Sequence, residues 1–414
     1  MKSREPHGPA VLTRGLNPPP QRRNTAAAFF SRRARLHSAR MSQPLSILGA
    51  SVRSAAQSAR RAGLIPSGAD LFADRDLRRD CDTVIRVTNY PQELVDASCR
   101  LPPGPWIYTG GLENHPELVD LVASQQTLLG NPGPVLCRVR DPWQLSAALT
   151  SHGLSSPTLR RDLKCARTQR WIRKPLWSCG GQRIRIVEPG DPNTNSPDFF
   201  YQRLISGKPY SAVYSANRQS ARLVGITRQL VGTGWTGAHD FQYAGSLGPV
   251  TPPDHLHSQL IELGNALATT FQLQGLFGVD LIMANDVWVL EVNPRYTASV
   301  EILEVGFNWS ALREHLRVCH GDPPGLPSGP PVCLCGKAIV YARRDTVISA
   351  TFVRFSEDSN TDPRCPAIAD IPHLGERISC RQPVTTVLAI DENWQRLYTT
   401  LKRRVAQVQA ILNC

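Results

Sequence analysis

The sequence predicts a mixed α/β and α+β protein built from several domains, and three observations carry the prediction. A strand–helix–strand alternation opens the folded part near residue 44. Further on, two apolar, β-branched runs flank Asn285-Asp286, a dipeptide suited to a tight hairpin turn. A Pro/Gly-rich run from Gly321 to Pro331 then sets off a last segment of strands and one long helix. A chain of 414 residues has room for two or three domains. The expected division is a basic extension over 1–43, a Rossmann-like domain over 44–134 and a central domain over 135–320. A linker over 321–331 and a small C-terminal domain over 332–414 complete it.

The extension comes first. Residues 1–40 hold nine Lys/Arg and one acid, Glu5, so +8 of the net charge of +13 lies there and only +5 on the remainder. That remainder is an ordinary surface, which argues against a nucleic-acid-binding protein; a role of the basic tail with nucleic acid is the weakest alternative. Rich in Arg, Pro and Ser and without a period, residues 1–40 read as disordered. Ser31-Arg32-Arg33 has the twin arginines of an export signal, but no long apolar segment follows. An organellar targeting sequence would share this composition. The favoured reading is a start at Met41, because the folded pattern begins immediately after it. No apolar run is long enough to span a membrane. Eleven scattered cysteines, an odd count, point to reduced thiols and a cytoplasmic location. Cys333-x-Cys335 has the wrong spacing for a zinc knuckle.

Residues 45–50 form an apolar strand, Ser51 opens a helix running to about Arg61, and Gly63 ends it. Leu71-Phe72-Ala73-Asp74 reads as the next strand end. Gly49 stands alone at the turn, so a dinucleotide fingerprint is absent. Strands follow at Thr83–Val87 and Pro105–Thr109, the second leading into Gly110-Gly111, a place where open α/β sheets bind ligands or simply turn. Past the boundary at Asn131-Pro132-Gly133-Pro134, Asp141 is a helix cap with Pro142 at the first position.

Arg170–Pro175 is a strand that ends in Lys174, followed by Ser178-Cys179-Gly180-Gly181. A lysine beside a bare, Gly-rich loop suits polyphosphate, through a point charge and exposed N–H donors. A surface lysine beside a turn is the plain alternative. Cys179 is the one cysteine expected to meet alkylating agents near a site. Ser211–Ala216 and Leu223–Gln229 read as adjacent antiparallel strands, with Arg228 either facing phosphates or lying on the surface. Leu256, Leu260, Leu263, Leu267 and Phe271 give a helical period. His255 and His257 before it are assigned nothing.

The hairpin carries the strongest signal. If its loop is Asn285-Asp286, then Asp280 pairs directly with Glu291, and Glu291 and Asn293 share a face. Facing carboxylates destabilise a sheet unless a cation offsets them. Mg²⁺ prefers one or two carboxylates plus substrate phosphates. Arg295, just beyond, would meet a phosphate or acyl-phosphate oxygen. A solvated hairpin with two ordinary acids is the rival, and strands this apolar argue against it. After Arg295, Thr297–Glu301 begins a helix whose N-terminus, aimed back at the site, favours an anion, with capping of that helix as the role of Glu301. Beyond the linker, Gly336–Ala342, Ala369–Pro372 and Thr385–Ala389 read as strands. A terminal helix carries Trp394, Leu397, Leu401, Val405, Val408 and Ile411 on one face.

Gly278-Val279-Asp280 with Leu290-Glu291-Val292-Asn293-Pro294-Arg295 resembles the metal-binding hairpin of the ATP-grasp superfamily. The branch it resembles is the ATP-dependent carboligases related to biotin carboxylase, over roughly residues 45–410. The resemblance implies an ATP-grasp fold with an N-terminal Rossmann-like pre-ATP domain and a small C-terminal domain. It implies that Asp280, Glu291 and Asn293 hold Mg²⁺ (or Mn²⁺) between ATP phosphates and that Arg295 steadies the reacting carboxyl phosphate. Lys174-Pro175 with Ser178, Gly180 and Gly181 resembles the family's phosphate-gripping element. Asp198–Gly207 resembles the interdomain hinge, so Gln202, Leu204 and Ile205 would hold adenine. No acid occurs from Phe199 to Tyr210, which leaves the usual ribose anchor without a counterpart. Val300-Glu301 lies later than the pair that serves bicarbonate chemistry in biotin carboxylase.

The expected function is therefore an ATP- and Mg²⁺-dependent carboxylate–amine ligase that works through an acyl phosphate. Its partners would be a small-molecule carboxylate and an amine, with a homodimer in keeping with the superfamily. The resemblance further suggests one-carbon cofactor metabolism linked to tetrahydromethanopterin or methanofuran. The alternatives are a bicarbonate-using carboxylase of the same fold and a non-catalytic nucleotide-binding module.

Overall fold

In the computed structural model, residues 43–163, 169–188, 196–362 and 364–413 are described. The basic extension and the start at Met41 lie outside them. Strands β1 (Pro44–Leu48), β2 (Ile65–Asp70), β3 (Val84–Arg86) and β4 (Trp106–Tyr108) form a parallel sheet in the order β3-β2-β1-β4. The second strand is thus Ile65–Asp70, not the segment ending at Asp74. Its Pro66, Ser67 and Gly68 are weak strand formers, but burial of all but the first residue overrides propensity. Leu71–Asp74 is the loop that follows. The first helix is Arg53–Arg61, and Ser51 does not cap it. The backbone N–H of Val52 instead donates to the buried Asp70 carboxylate at 3.0 Å, which also accepts from Phe72 and Ala73. Asp141 caps the helix Pro142–Ser151 as expected, accepting from the N–H groups of Trp143 and Gln144.

A small antiparallel sheet follows, with β5 (Leu159–Arg160), β6 (Trp171–Pro175), β7 (Arg185–Ile186) and β8 (Phe199–Arg203) in the order β5-β8-β6-β7. The largest sheet takes β9 (Lys208–Asn217), β10 (Ala221–Val231), β11 (Tyr243–Gly248), β12 (Gln274–Met283) and β13 (Val287–Asn293). The C-terminal segment extends that same sheet with β14 (Leu334–Tyr341). β15 (Thr346–Val347) pairs apart from it, β16 (Ile368–Ala369) joins the sheet, β17 (Arg377–Ile378) pairs with β15, and β18 (Pro383–Asp391) joins the sheet. The order is β13-β12-β9-β10-β11-β14-β18-β16, antiparallel throughout.

Alternation along the strands sends Ala212, Val279 and Leu281 into one core with Leu256, Leu260, Leu263 and Leu267 of the helix Asp254–Phe271. The opposite face carries polar groups. The terminal helix Trp394–Asn413 buries Leu397, Leu401, Val405 and Val408 against β14 and β18. Helix Ala298–Phe307 packs against β10, β11 and β14. Its Glu301 does not cap it. That carboxylate is buried between Arg53 and Lys337, with Lys337 Nζ 2.9 Å away. Among the described residues, no helix is long and apolar enough to cross a membrane.

Candidate active site

The site is built on the polar face of the β12–β13 hairpin. Asp280 pairs with Glu291 as expected, but by a different route. From Leu281 to Met283 the pairing closes on a three-residue turn, Ala284-Asn285-Asp286. A bulge on β13 beside Asp280 then restores the register that a two-residue turn would have given.

Asp280 accepts a hydrogen bond from Gln229 Nε2 at 2.9 Å and one from Asn293 Nδ2 at 3.1 Å. Glu291, 30% exposed, accepts from Lys174 Nζ at 3.2 Å. Burial first, and the Glu291 charge second, push the Asp280 carboxyl up to about 6. Burial would raise Glu291 as well, but Lys174 and then Arg140 outweigh it and hold that carboxyl at about 2. Arg295 and Lys174 also lower the Asp280 carboxyl, but less than burial and Glu291 raise it, so Asp280 is the less well compensated of the two.

Arg295 Nη2 lies 2.5 Å from Glu113 Oε1 and 3.2 Å from Asn293 Oδ1. Burial disfavours both charges of the Arg295–Glu113 pair, but each partner more than compensates the other, so the carboxyl is lowered and the guanidinium raised. Arg140 reaches Asn293 Oδ1, Asn114 Oδ1 and the carbonyl of Ser178. Gly180 accepts from the Tyr243 N–H at 3.1 Å. Gly181 has φ +77° and so little room that a Cβ would lie 1.9 Å from the Phe241 carbonyl oxygen. The Gly-rich loop is thus seated on the chain between β10 and β11.

An open cleft is lined by Arg140, Lys174, Ser178, Phe200 and Glu291. Lys174, Ser178, Asp280, Glu291, Asn293 and Arg295 are brought together around it. Gln202, Leu204 and Ile205 do not line it. Gln202 shares the face of Lys174 and Phe200, one pair further along β6 and β8. It is buried, with Oε1 unpartnered, while the Leu204 N–H donates to the Arg170 carbonyl at 2.9 Å. Arg228 is exposed, and its neighbour Gln229 takes the inward position instead. His255 and His257 are exposed.

Glu113, Arg140 and Gln229 were not legible as site residues. Glu113 had one signal, its place two residues after Gly110-Gly111 at the end of β4. Among the described residues no group of three or more His, Cys, Asp or Glu could hold a metal. The donor set is two carboxylates and the Asn293 amide, with Asp280 the less well compensated carboxylate. That set fits Mg²⁺, which takes few protein ligands and completes its shell with phosphate and water. Asn293 now turns Nδ2 toward Asp280, and a half-turn of the amide would present Oδ1 there.

Residues 139–299 match the model of the ATP-grasp domain. An uncharacterized protein of Methanocaldococcus jannaschii is 28% identical over 243 residues, 58% of this chain and 55% of that protein, so the match spans about half of its length. Among solved structures, the L-amino acid ligase of Bacillus licheniformis superposes with a TM-score of 0.66 at 13% identity, over 88% of this chain and 97% of the ligase. The biotin carboxylase domain of the Hydrogenobacter thermophilus 2-oxoglutarate carboxylase, solved as a dimer with MgADP and bicarbonate, also gives 0.66. Its identity is 11%, over 89% of this chain and 94% of that one. These likenesses concern the fold, and it is the fold that the sequence resemblance implies. Residues 139–299 thus match an ATP-grasp domain, and the chain as a whole has the fold of ATP-grasp enzymes.

Proposed function

We propose that the protein is an ATP- and Mg²⁺-dependent carboxylate–amine ligase. The observation that carries the reading is the partly buried Asp280–Glu291 pair, in which Lys174 is hydrogen-bonded to Glu291 and, among the described residues, no salt bridge reaches Asp280. Asp280, Glu291 and Asn293 would hold Mg²⁺, with Mn²⁺ as a substitute. Bound there, the ion would neutralise charge on the transferring phosphoryl group. Lys174 and the backbone of Ser178–Gly181 would bind the phosphates of ATP. Gln202, with its unpartnered Oε1, would receive the adenine amino group, flanked by Leu204 and Ile205.

The γ-phosphoryl group would pass to a substrate carboxylate, giving an acyl phosphate and ADP. Arg295, fixed by Glu113, would stabilise charge on the acyl phosphate oxygens. An amine then attacks the acyl carbon and phosphate leaves. Small-molecule acid and amine partners, a cytoplasmic setting and a homodimer belong to this reading. The one-carbon cofactor setting also belongs to it and rests on the sequence resemblance alone.

The test is a thermal-shift titration with Mg-ATP. At a hundred times its dissociation constant, ligand should stabilise the native state by about 2.7 kcal/mol. A magnesium-dependent shift supports the reading, and no shift with folded protein overturns it. ADP release that depends on bicarbonate and not on an amine would assign the carboxylase chemistry instead.

A further inference from the structure

The charge of residues 41–414 is concentrated in one segment. Residues 155–208, which hold the small sheet, carry eleven Lys/Arg against four Asp/Glu, or +7, which leaves −2 on the rest of 41–414. The register of that sheet sorts the charge by face. Lys174 pairs with Phe200 and both line the cleft, so Arg173, one residue earlier, faces the other way. Arg173 stands opposite Tyr201 on β8 and Arg185 on β7, and Tyr201 stands opposite Arg160 on β5. One row of the outer face therefore runs Arg160, Tyr201, Arg173, Arg185 across the sheet. Trp171 and Arg203 form the next pair on that face.

Two donors on this face are left over. Trp171 Nε1 and Arg173 Nε are buried and have no acceptor among the described residues. Trp171 is 3% exposed, and the exposed Arg160 guanidinium lies over its ring at 5.6 Å. The Arg173 guanidinium lies over the Phe199 ring at 4.3 Å, which fixes its plane. Asp162 and Glu188, the acids that follow β5 and β7, already have partners, as does Arg185. An unmade bond from a buried N–H costs about 1–3 kcal/mol. Two of them beside the exposed Arg160 and Arg203 call for an acceptor with several oxygens and more than one negative charge.

A carboxylate offers two oxygens and a single charge, whereas a phosphoryl group offers three oxygens and a charge near −2. Trp171 and Tyr201 are buried, so no base can stack on them as a nucleic-acid groove requires. Three strand spacings limit the row to about 14 Å, the scale of two or three linked phosphates. We propose that the outer face of the small sheet, around Trp171, Arg173 and Arg203, binds a small oligophosphate anion at a site separate from the nucleotide cleft. Entry needs the exposed Arg160 side chain to swing off the Trp171 ring. The proposal does not rest on the ligase reading, because none of these residues lines the cleft.

The test is a calorimetric titration of the full chain with sodium tripolyphosphate in the absence of Mg²⁺, beside Trp171→Phe, Arg203→Gln and Lys174→Met. Binding should weaken with added salt and should persist in Lys174→Met, which changes only the cleft side of β6. Trp171→Phe, which removes the indole N–H, should weaken it at least about tenfold. Arg203→Gln, at an exposed position that folding does not depend on, should weaken it about threefold or more. No binding to the wild type overturns the proposal, as does binding that Lys174→Met abolishes and both outer-face variants keep. Citrate binding as tightly as tripolyphosphate would show that the face does not select phosphoryl groups. A single-stranded oligonucleotide binding more tightly at equal phosphate concentration would replace the small anion with a nucleic acid.

Discussion

Asp280 stands directly opposite Glu291 across the β12–β13 hairpin, and among the described residues it is Glu291 that has a lysine in salt-bridge contact, Lys174 at 3.2 Å. The asymmetry splits two like groups. One carboxyl is held at about 2 and the other is pushed to about 6. On the proposed reading, such a pair, one carboxylate compensated and the other less so, would suit a divalent cation that arrives with its own phosphates.

A pH dependence follows from Asp280. Its carboxyl is raised in the folded protein, so the unliganded native state binds more protons than the unfolded chain between the ordinary carboxylate range and about 6. Its contribution to stability is present at low pH and is lost as pH rises through that window. Cation binding needs the ionised form and runs the other way. Mg-ATP affinity should rise with pH up to about 6 and level off above it, by up to about tenfold per unit below. Calorimetric titrations from pH 5 to pH 8 measure this, and a flat profile would contradict it.

Glu291→Gln removes one donor and the Asp280 repulsion together. The magnesium-dependent part of the ATP thermal shift should shrink to a small remnant. The acid-side stability transition assigned to Asp280 should move down toward the ordinary carboxylate range. A variant that keeps the full Mg-ATP shift would show that the metal lies elsewhere.

Gly181 and Gly180 both have left-handed backbone, with φ +77° and +63°, but their surroundings differ. A methyl at Gly181 meets the Phe241 carbonyl, whereas nothing lies within 4 Å of one at Gly180. Gly180→Ala should cost only about 1 kcal/mol of backbone strain. Gly181→Ala should also unseat the loop and weaken Mg-ATP binding. Paired melting curves and ATP titrations of the two variants make the comparison. Equal effects would show that the loop is not seated on Phe241.

Arg53 is fully buried and serves Asp370, Glu301 and Asp76 at once. Burial alone would lower its charge state, yet the surrounding carboxylates raise its pKa further. Arg53→Met should destabilise the protein by about 3–5 kcal/mol, because it leaves buried carboxylates without their cation. Denaturant unfolding reads this directly. A loss below about 1 kcal/mol would mean that the network contributes little.

Much of the site was legible because its signals are local. The Asp280–Glu291 pairing follows from hairpin alternation, even though the actual turn is one residue longer and the bulge makes up the difference. Lys174 beside Gly180-Gly181, the cap at Asp141 and the helices Asp254–Phe271 and Trp394–Asn413 are likewise written in short-range spacing. The partners that complete the site were not. Glu113 lies far from Arg295 in the chain, and Arg140 far from Ser178 and Asn293. Glu301 read as a cap because its own helix was the only neighbour in view, while its true partners are Arg53 and Lys337.

By itself, then, the sequence determined the elements whose period or turn chemistry is contained within a few residues, and with them the carboxylate pair and its lysine. The tertiary structure decided which charges are compensated and how fully. It made a buried strand of Ile65–Asp70 despite its Pro and Gly, turned Gln229 rather than Arg228 inward, and set Glu113 against Arg295. The physical reason is that burial and Coulomb interaction depend on distance in space, which chain spacing specifies only along a single strand or helix.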